Sequence, residues 1–230
     1  MMNSNKLLAL DLFCGGGGAA IGLMQAGFEV VGIDNKMHKH YPGNFILGDA
    51  LNPPVKLSDF DLVWASPPCQ LFSKGTGSQR NREKYKDMNF IPQTRDLLLP
   101  HPITIIENVP QAPIRPDLIL TGQAFAGTLG LHRLWRRRHF ELSFWCWGLP
   151  LGNTPSSCIT VTKSMCSNTH FYRRKRMGLK GRPPLWKSKW VMGIPFKYQF
   201  TYSEVGEAVP PPYSKYIAQQ AIPQIRRENV

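Results

Sequence analysis

The sequence has no long apolar run, few acidic residues and no paired cysteines. The uncharged stretch Leu12 to Phe28 is broken by six glycines, so it does not read as a membrane-spanning helix. Residues Met1 to Lys6 lack the basic-then-apolar order of an export signal. A cytoplasmic protein with reduced cysteines is therefore expected. The five cysteines include no Cys-x-x-Cys pair. Cys146, Cys158, Cys166 and His170 lie close together, but their spacing does not fit a zinc site, and no metal is expected. No internal repeat and no low-complexity segment occurs. Asp and Glu total 15 against 28 Lys and Arg, a net charge of +13 over 230 residues. That excess points to a polyanionic partner, nucleic acid ahead of a membrane surface, because no long basic amphipathic helix accompanies it. The length suits one compact domain with a small second lobe, acting as a single copy.

What is present begins with strand, glycine turn and helix. Lys6 to Phe13 reads as a buried strand, followed by Cys14-Gly15-Gly16-Gly17-Gly18. Ala20, Leu23 and Met24 then recur at helical spacing up to Gly27, a helix stop. Glycines let the backbone pass close to a ligand, and the helix start offers free N–H groups to an anion. Phe28 to Ile33 is a second strand ending in Asp34, where a ribose diol is usually held. Phe45 to Leu47 is a short third strand leading to Gly48-Asp49-Ala50. Asp49 could accept a hydrogen bond from an adenine amine. Taken singly, each of these acids reads equally well as a turn cap.

Phe60 to Ala65 predicts a fourth buried strand running into Ser66-Pro67-Pro68-Cys69-Gln70. The prolines fix their own backbone angles and bias the residue before each toward extended chain. They hold the Cys69 thiol in one direction at the carboxyl end of a sheet strand, where open α/β sheets bind ligands. Pro-Pro-Cys alone would read as a turn with a buried cysteine. Leu71 to Phe90 is charged and aperiodic, a flap to close over nucleic acid. A short helix over Ile91 to Leu99 precedes a fifth strand, Pro102 to Ile106, parallel to the cysteine strand and followed directly by Glu107-Asn108-Val109. Leu118 to Thr121 and His139 to Phe144 predict two further strands, antiparallel to one another. Between them Arg136 and Arg138 share one face if the chain is extended.

From Trp145 the composition shifts to tryptophan, proline, serine and threonine. Arg173, Arg174, Lys175, Arg176 and Arg182 are interleaved with aromatics, as suits contact with phosphates and bases. The expected division is a catalytic and cofactor domain over 1–144, a basic recognition lobe over 145–197, and a closing segment over 198–230. In the last of these, Tyr213, Tyr216, Ile217 and Ala221 predict one amphipathic helix, ending at Pro223 and packed on the sheet.

The ordered set Asp11-Leu12-Phe13-Cys14-Gly15-Gly16-Gly17-Gly18, Gly32-Ile33-Asp34, Gly48-Asp49-Ala50, Ser66-Pro67-Pro68-Cys69-Gln70 and Glu107-Asn108-Val109 resembles the cytosine 5-methyltransferases. Gly206 to Pro211 is similar to their closing motif, with Glu207 where asparagine is usual. The glutamine that usually precedes the paired arginines is absent. The short lobe and Met192-Gly193-Ile194 look like the small phage-encoded members, which implies a prokaryotic or phage-infected cell and a place in DNA modification. The resemblance implies a class I, Rossmann-like α/β methyltransferase sheet with S-adenosylmethionine as cofactor. It implies Cys69 as nucleophile, Glu107 as partner acid, and Arg136 and Arg138 at the target base. Phe13, Gly15, Gly17, Ile33, Asp34, Asp49, Ala50, Pro67, Glu207 and Val209 would line the cofactor pocket. Gln70, Ser73, Lys74, Arg80 and Arg82 would join the basic lobe in holding double-stranded DNA. The same residues suit a transfer RNA cytosine. A non-catalytic DNA-binding protein on this frame and a dinucleotide-dependent oxidoreductase are the other readings. The oxidoreductase needs no Pro-Pro-Cys-Gln and leaves the charge unexplained.

Overall fold

The computed structural model describes residues 6–73, 83–125, 134–151, 161 and 184–228. In chain order the elements are β1 (Leu7–Leu12), α1 (Gly18–Ala26), β2 (Phe28–Asp34), β3 (Asn44–Leu47), β4 (Leu62–Ala65), α2 (Ile91–Leu98), β5 (Thr104–Asn108), β6 (Leu118–Leu120), β7 (Arg138–Leu142), α3 (Leu185–Met192), α4 (Tyr202–Glu207) and α5 (Pro211–Glu228). The seven strands form one sheet in the order β3-β2-β1-β4-β5-β7-β6. β1 to β5 pair in parallel, whereas β7 is antiparallel to both β5 and β6. This is a mixed α/β sheet with an antiparallel edge, the arrangement that the resemblance implies. The chain leaves β1 toward β2 on one side and toward β4 on the other. The crevice over the carboxyl ends of β1 and β4 is therefore the topological switch point, the usual ligand position in such sheets.

Strand alternation sorts side chains to two faces. Ala9, Leu62, Trp64, Ile105 and Phe140 turn to the face covered by α1 and α5. Leu10, Leu12, Val63, Ala65 and Ile106 turn to the face covered by α2 and the segment after β5. Tyr213, Ile217, Ala218 and Ala221 present one fully buried stripe of α5 to the first face. Ser214 sits on that stripe and donates its hydroxyl to the Ala19 carbonyl at 2.9 Å. A Cβ on Gly22 of α1 would collide with the Pro211 carbonyl of α5, so the two helices meet backbone to backbone. α3 and α4 close a third cluster of Ile21, Leu134, Val161, Val191, Met192, Phe200 and Val205.

Two of the boundaries that differ from expectation bear on the site and on the closing helix. Glu107 and Asn108 belong to β5 rather than following it, because antiparallel β7 extends the pairing: Glu107 lies opposite Phe140 and Asn108 opposite His139. α5 runs through Pro223 to Glu228. Pro223 lies on the exposed side of the helix, and so does Gln219, whose carbonyl loses its helical donor. Water can satisfy that carbonyl, which removes much of the usual cost of a helical proline. The amphipathic stripe itself lies where its spacing predicts. Residues 145–149 do not stand away from the catalytic domain. Cys146 and Leu149 pack against the core, and the backbone N–H of Trp147 donates to Gln220 of α5 at 2.7 Å. Among the described residues no helix is long and apolar enough to cross a membrane, and no cluster of His, Cys, Asp and Glu could hold a metal ion.

Candidate active site

The turn after β4 is held from three sides. The Ser66 amide donates to the Leu12 carbonyl at 3.1 Å, which joins the turn to β1. The Trp64 indole donates to Ser66 Oγ at 2.9 Å. The buried Asn108 side chain donates from Nδ2 to the Pro67 carbonyl at 2.9 Å, which joins the turn to β5. Beyond the prolines, the amides of Phe72 and Ser73 both donate to the Cys69 carbonyl, at 3.1 and 2.9 Å. Cys69 is thus set at the head of a tight, fully anchored turn.

Glu107 reaches the same space from β5. Cys69 and Glu107 line one cavity of about 430 Å³, together with Ser66, Pro67, Pro68, Gln70 and Arg138. Arg138, the first residue of β7, places Nε 2.6 Å from Glu107 Oε1. The contact is a buried ion pair with the N–H aimed off the oxygen, since Oε1 makes no aligned hydrogen bond among the described residues. Burial pushes the Glu107 carboxyl up from its usual range, against the pull of Arg138 and Arg136. Burial also pushes the Cys69 thiol up. The positive charge of Arg138 opposes that rise, and Glu107 adds to it. Nucleophile and acid are therefore both biased toward their protonated forms within one buried charge cluster.

The cavity continues toward the glycine turn. Phe13 adopts a positive φ of 56°, and Gly15 follows at 49°. Nothing lies within 4 Å of where a Gly15 Cβ would stand, so its α-carbon borders open cavity. The Gly15 amide donates to Asp34 Oδ2 at 3.0 Å, and the Lys36 amide donates to Asp34 Oδ1 at 3.0 Å. The two amides fix the carboxylate at the mouth of β2. Phe90 stacks on Phe13 with ring centroids 6.4 Å apart. Glu207, Ala208 and Val209 form the roof. A Cβ on Gly18 would run into the Val209 carbonyl, so only glycine lets the roof descend onto the start of α1.

Asp11 lies beneath this turn, also on the cavity lining and fully buried. Its Oδ2 accepts from the Tyr41 hydroxyl at 3.0 Å. Its Oδ1 has no hydrogen-bond partner among the described residues. Burial raises its pKa from 3.8 to about 7, against the Tyr41 hydrogen bond.

Most of the sequence-expected site residues that are described meet here. Cys69, Glu107, Arg138, Phe13, Gly15, Asp34, Ala50, Pro67, Gln70, Glu207 and Val209 all line the one cavity. Five others lie outside its lining. The Ile33 carbonyl accepts the Cys14 amide at 3.2 Å, a scaffold for the turn. Gly17, at a φ of 84°, abuts Pro42 and Tyr41. Asp49 is exposed and accepts from the Leu51 amide at 2.9 Å. Arg136 is buried, and donates to the carbonyls of Val161 at 2.6 Å and Gly206 at 3.0 Å. It ties β7 to the closing segment. Burial first, and then Arg138, lower its pKa to about 9. Ser73 terminates the cysteine turn. Lys74, Arg80, Arg82, Arg173, Arg174, Lys175, Arg176 and Arg182 lie outside the described residues, as do Cys158, Cys166 and His170. His38, Met88 and Phe90 also line the cavity, although no motif marks them. The aromatic Phe90, just before α2, is the one legible hint.

Comparison with known proteins agrees with this geometry. No curated protein matches the chain in sequence. S. pombe Dnmt2 methyltransferase superposes with a TM-score of 0.64 at 16% identity, over 96% of this chain and 99% of that one. The Spodoptera frugiperda DNMT2 E260A/E261A/K263A mutant gives 0.56 at 14%, over 95% and 99%. The Entamoeba histolytica methyltransferase EhMeth gives 0.57 at 13%, over 99% and 100%. At such identities these similarities speak for the fold. The model of the C-5 cytosine-specific DNA methylase family matches residues 7–112, the segment that carries the glycine turn, Cys69 and Glu107. Over that segment the chain is similar to the C-5 cytosine-specific DNA methylase family, whose members use S-adenosylmethionine.

Proposed function

We propose that the protein methylates carbon 5 of cytosine in DNA through a covalent adduct on Cys69. The observation that carries this reading is the shared cavity: a thiol from the β4 turn and a carboxyl from β5 line one space that opens onto the glycine turn. The lining fits S-adenosylmethionine. Asp11 offers a buried oxygen with no partner among the described residues, Gly15 leaves its flank open, and Phe13, Asp34, Ala50, Pro67 and Val209 surround the space. When bound there, that cofactor supplies an electrophilic methyl group for carbon 5.

The chain's own groups make the cytosine reactive. The Cys69 thiol gives its proton to water, and the thiolate adds to carbon 6, forming an Sγ–C6 bond and breaking the C5=C6 π bond. The displaced electron pair makes carbon 5 nucleophilic and draws charge toward ring nitrogen 3. Glu107, biased toward its protonated form, gives its proton to that nitrogen and offsets the charge. Arg138 holds the Glu107 carboxyl in place and neutralises it once the proton has left. After methylation a water removes the carbon 5 proton, Sγ departs, the double bond re-forms and Glu107 recovers its proton. Carbon 6 is covered in a stacked duplex, so the cytosine must be extruded into the cavity. The +13 net charge supports a hold on the phosphate backbone meanwhile.

Bisulfite sequencing of host DNA after expression tests the proposal, with protected cytosines in a fixed context as the expected result. Unprotected DNA alongside labelled transfer RNA, from purified protein and tritiated S-adenosylmethionine, would move the activity to RNA.

A further inference from the structure

His38, which belongs to none of the methyltransferase motifs, stands between two carboxylates from distant parts of the chain. Its Nδ1 lies 3.2 Å from Glu204 Oε1 of α4. Its Nε2 lies 3.9 Å from Asp34 Oδ2 at the end of β2. All three side chains are largely buried, with 15, 16 and 18% of His38, Asp34 and Glu204 exposed. Glu204 has a second task. Its Oε2 accepts from the Thr201 amide at 2.7 Å and Thr201 Oγ1 accepts from the Glu204 amide, a reciprocal cap at the start of α4. It also presses on the glycine turn, where a Cβ on Gly16 would stand 2.8 Å from Glu204 Cβ. Only three residues separate Glu204 from Ala208, whose amide donates back to the Glu204 carbonyl at 2.8 Å. Ala208 and Val209 are the roof of the cavity, and His38 lines the same cavity.

We infer that His38 is a positioning residue that latches the roof segment Glu204–Val209 to the ribose-side carboxylate Asp34, and so sets how long S-adenosylmethionine stays bound. The latch rests on the functional reading above for its ligand, but not for its structure. Two contacts of Glu204 of α4 bear on the latch. One is the flat surface of Gly16, which gives fit without directionality. The other is the imidazole, which gives direction by donating to Glu204. With Nδ1–H directed at Glu204, the ring also stands beside Asp34 and fixes the distance between floor and roof. Burial pushes the Glu204 carboxyl up, but its hydrogen bonds from Thr201 and His38 more than reverse this and hold it below the usual range. Glu204 is therefore an anion facing the ring, as a latch through His38 needs.

The test compares wild type with His38→Ala, His38→Gln and Glu204→Gln. Amide hydrogen exchange without cofactor should show residues 205–208 opening about tenfold faster in His38→Ala, with β1 and β4 unchanged. Glu204→Gln keeps the helix cap but removes the charge, and should also accelerate them. His38→Gln retains a donor at this position and should restore slow exchange. Calorimetry with S-adenosylhomocysteine should then show affinity about tenfold weaker in His38→Ala, largely restored in His38→Gln. Wild-type exchange rates in His38→Ala would overturn the latch. So would accelerated exchange with unchanged affinity, since the latch would not then govern retention. Absence of S-adenosylhomocysteine binding by wild type would instead overturn the cofactor reading and the retention claim with it, leaving the exchange result to judge the contact alone.

Discussion

Asn108 and Pro67 are joined by one buried hydrogen bond, from Nδ2 to the carbonyl oxygen at 2.9 Å. The same side chain accepts the Val109 amide on Oδ1 at 2.9 Å. Asn108 thus registers the glutamate strand against the cysteine turn. Asn108→Ala leaves the Pro67 carbonyl without its donor and lets the turn shift. Turnover should fall by roughly a hundred-fold, in line with the sensitivity of catalysis to displacements of about 1 Å. S-adenosylhomocysteine affinity should stay within a few-fold, because the glycine turn is held separately. Single-turnover kinetics and calorimetry check the split; equal losses in both would assign Asn108 a general structural role.

Cys69→Ala should abolish methyl transfer and leave cofactor binding nearly intact. The thiol borders the shared cavity, but the hydrogen bonds of its turn run through the backbone. Label transferred from tritiated S-adenosylmethionine to DNA by the purified variant would remove Cys69 from the chemistry.

Glu107→Gln should lower turnover by about a hundred-fold or more, the scale of lost general acid catalysis. The amide keeps the shape but has no acidic proton to give, so Arg138 never meets the carboxylate that proton loss would leave. Unaltered turnover would show that protonation of the ring comes from elsewhere.

Asp11 governs a different property. Its pKa rises from 3.8 to about 7 because burial disfavours the charged form. Such a carboxyl contributes stability that is fully present below about pH 4 and is lost as pH climbs through about 7. Asp11→Asn cannot ionise and should escape the loss. The variant should gain on wild type between about pH 4 and about pH 8 by about 1–4 kcal/mol, since one proton changes stability by at most about 1.4 kcal/mol per pH step of one. Urea denaturation at the two pH values measures it. Parallel pH dependence in both proteins would mean that Asp11 is paired in a way that spares it the burial cost.

The sheet and much of the site can be read from the chain because their signals are local. Apolar runs predict β1, β2 and β4, and the turn residues behind them predict where a ligand sits. Cys69 and Asp34 follow from the same logic, since Asp34 closes β2 and Cys69 sits in the turn beyond β4. Glu107 is expected just past its strand; pairing with β7, far along the sequence, draws it inside. Arg136 shows a second limit. Spacing puts it on the face of Arg138, but only the position of Gly206, 70 residues on, explains why its guanidinium is spent on backbone carbonyls. His38 is unreadable for the same reason, because Glu204 lies 166 residues later. Phe90 and Met88 reach the cavity from a stretch whose aperiodic charge suggests only a flap. Helix α5 runs past Pro223 because exposure of that side, invisible in a linear pattern, decides whether a proline breaks a helix.

The junction between α1 and α5 has a consequence for biosynthesis. Ala19 and Ser214 are linked across 195 positions, and Pro211, Ser214 and Lys215 lie against Gly22. A ribosome-bound chain that has exposed every motif turn up to Glu107 still has an open groove along its first helix and no lid over its nucleotide-like cleft. Emerging chains must keep that groove shielded until the closing helix arrives, and such distant closure slows folding. Competence to hold a ligand in the cleft should therefore appear abruptly, once α5 has emerged, rather than growing with the sheet.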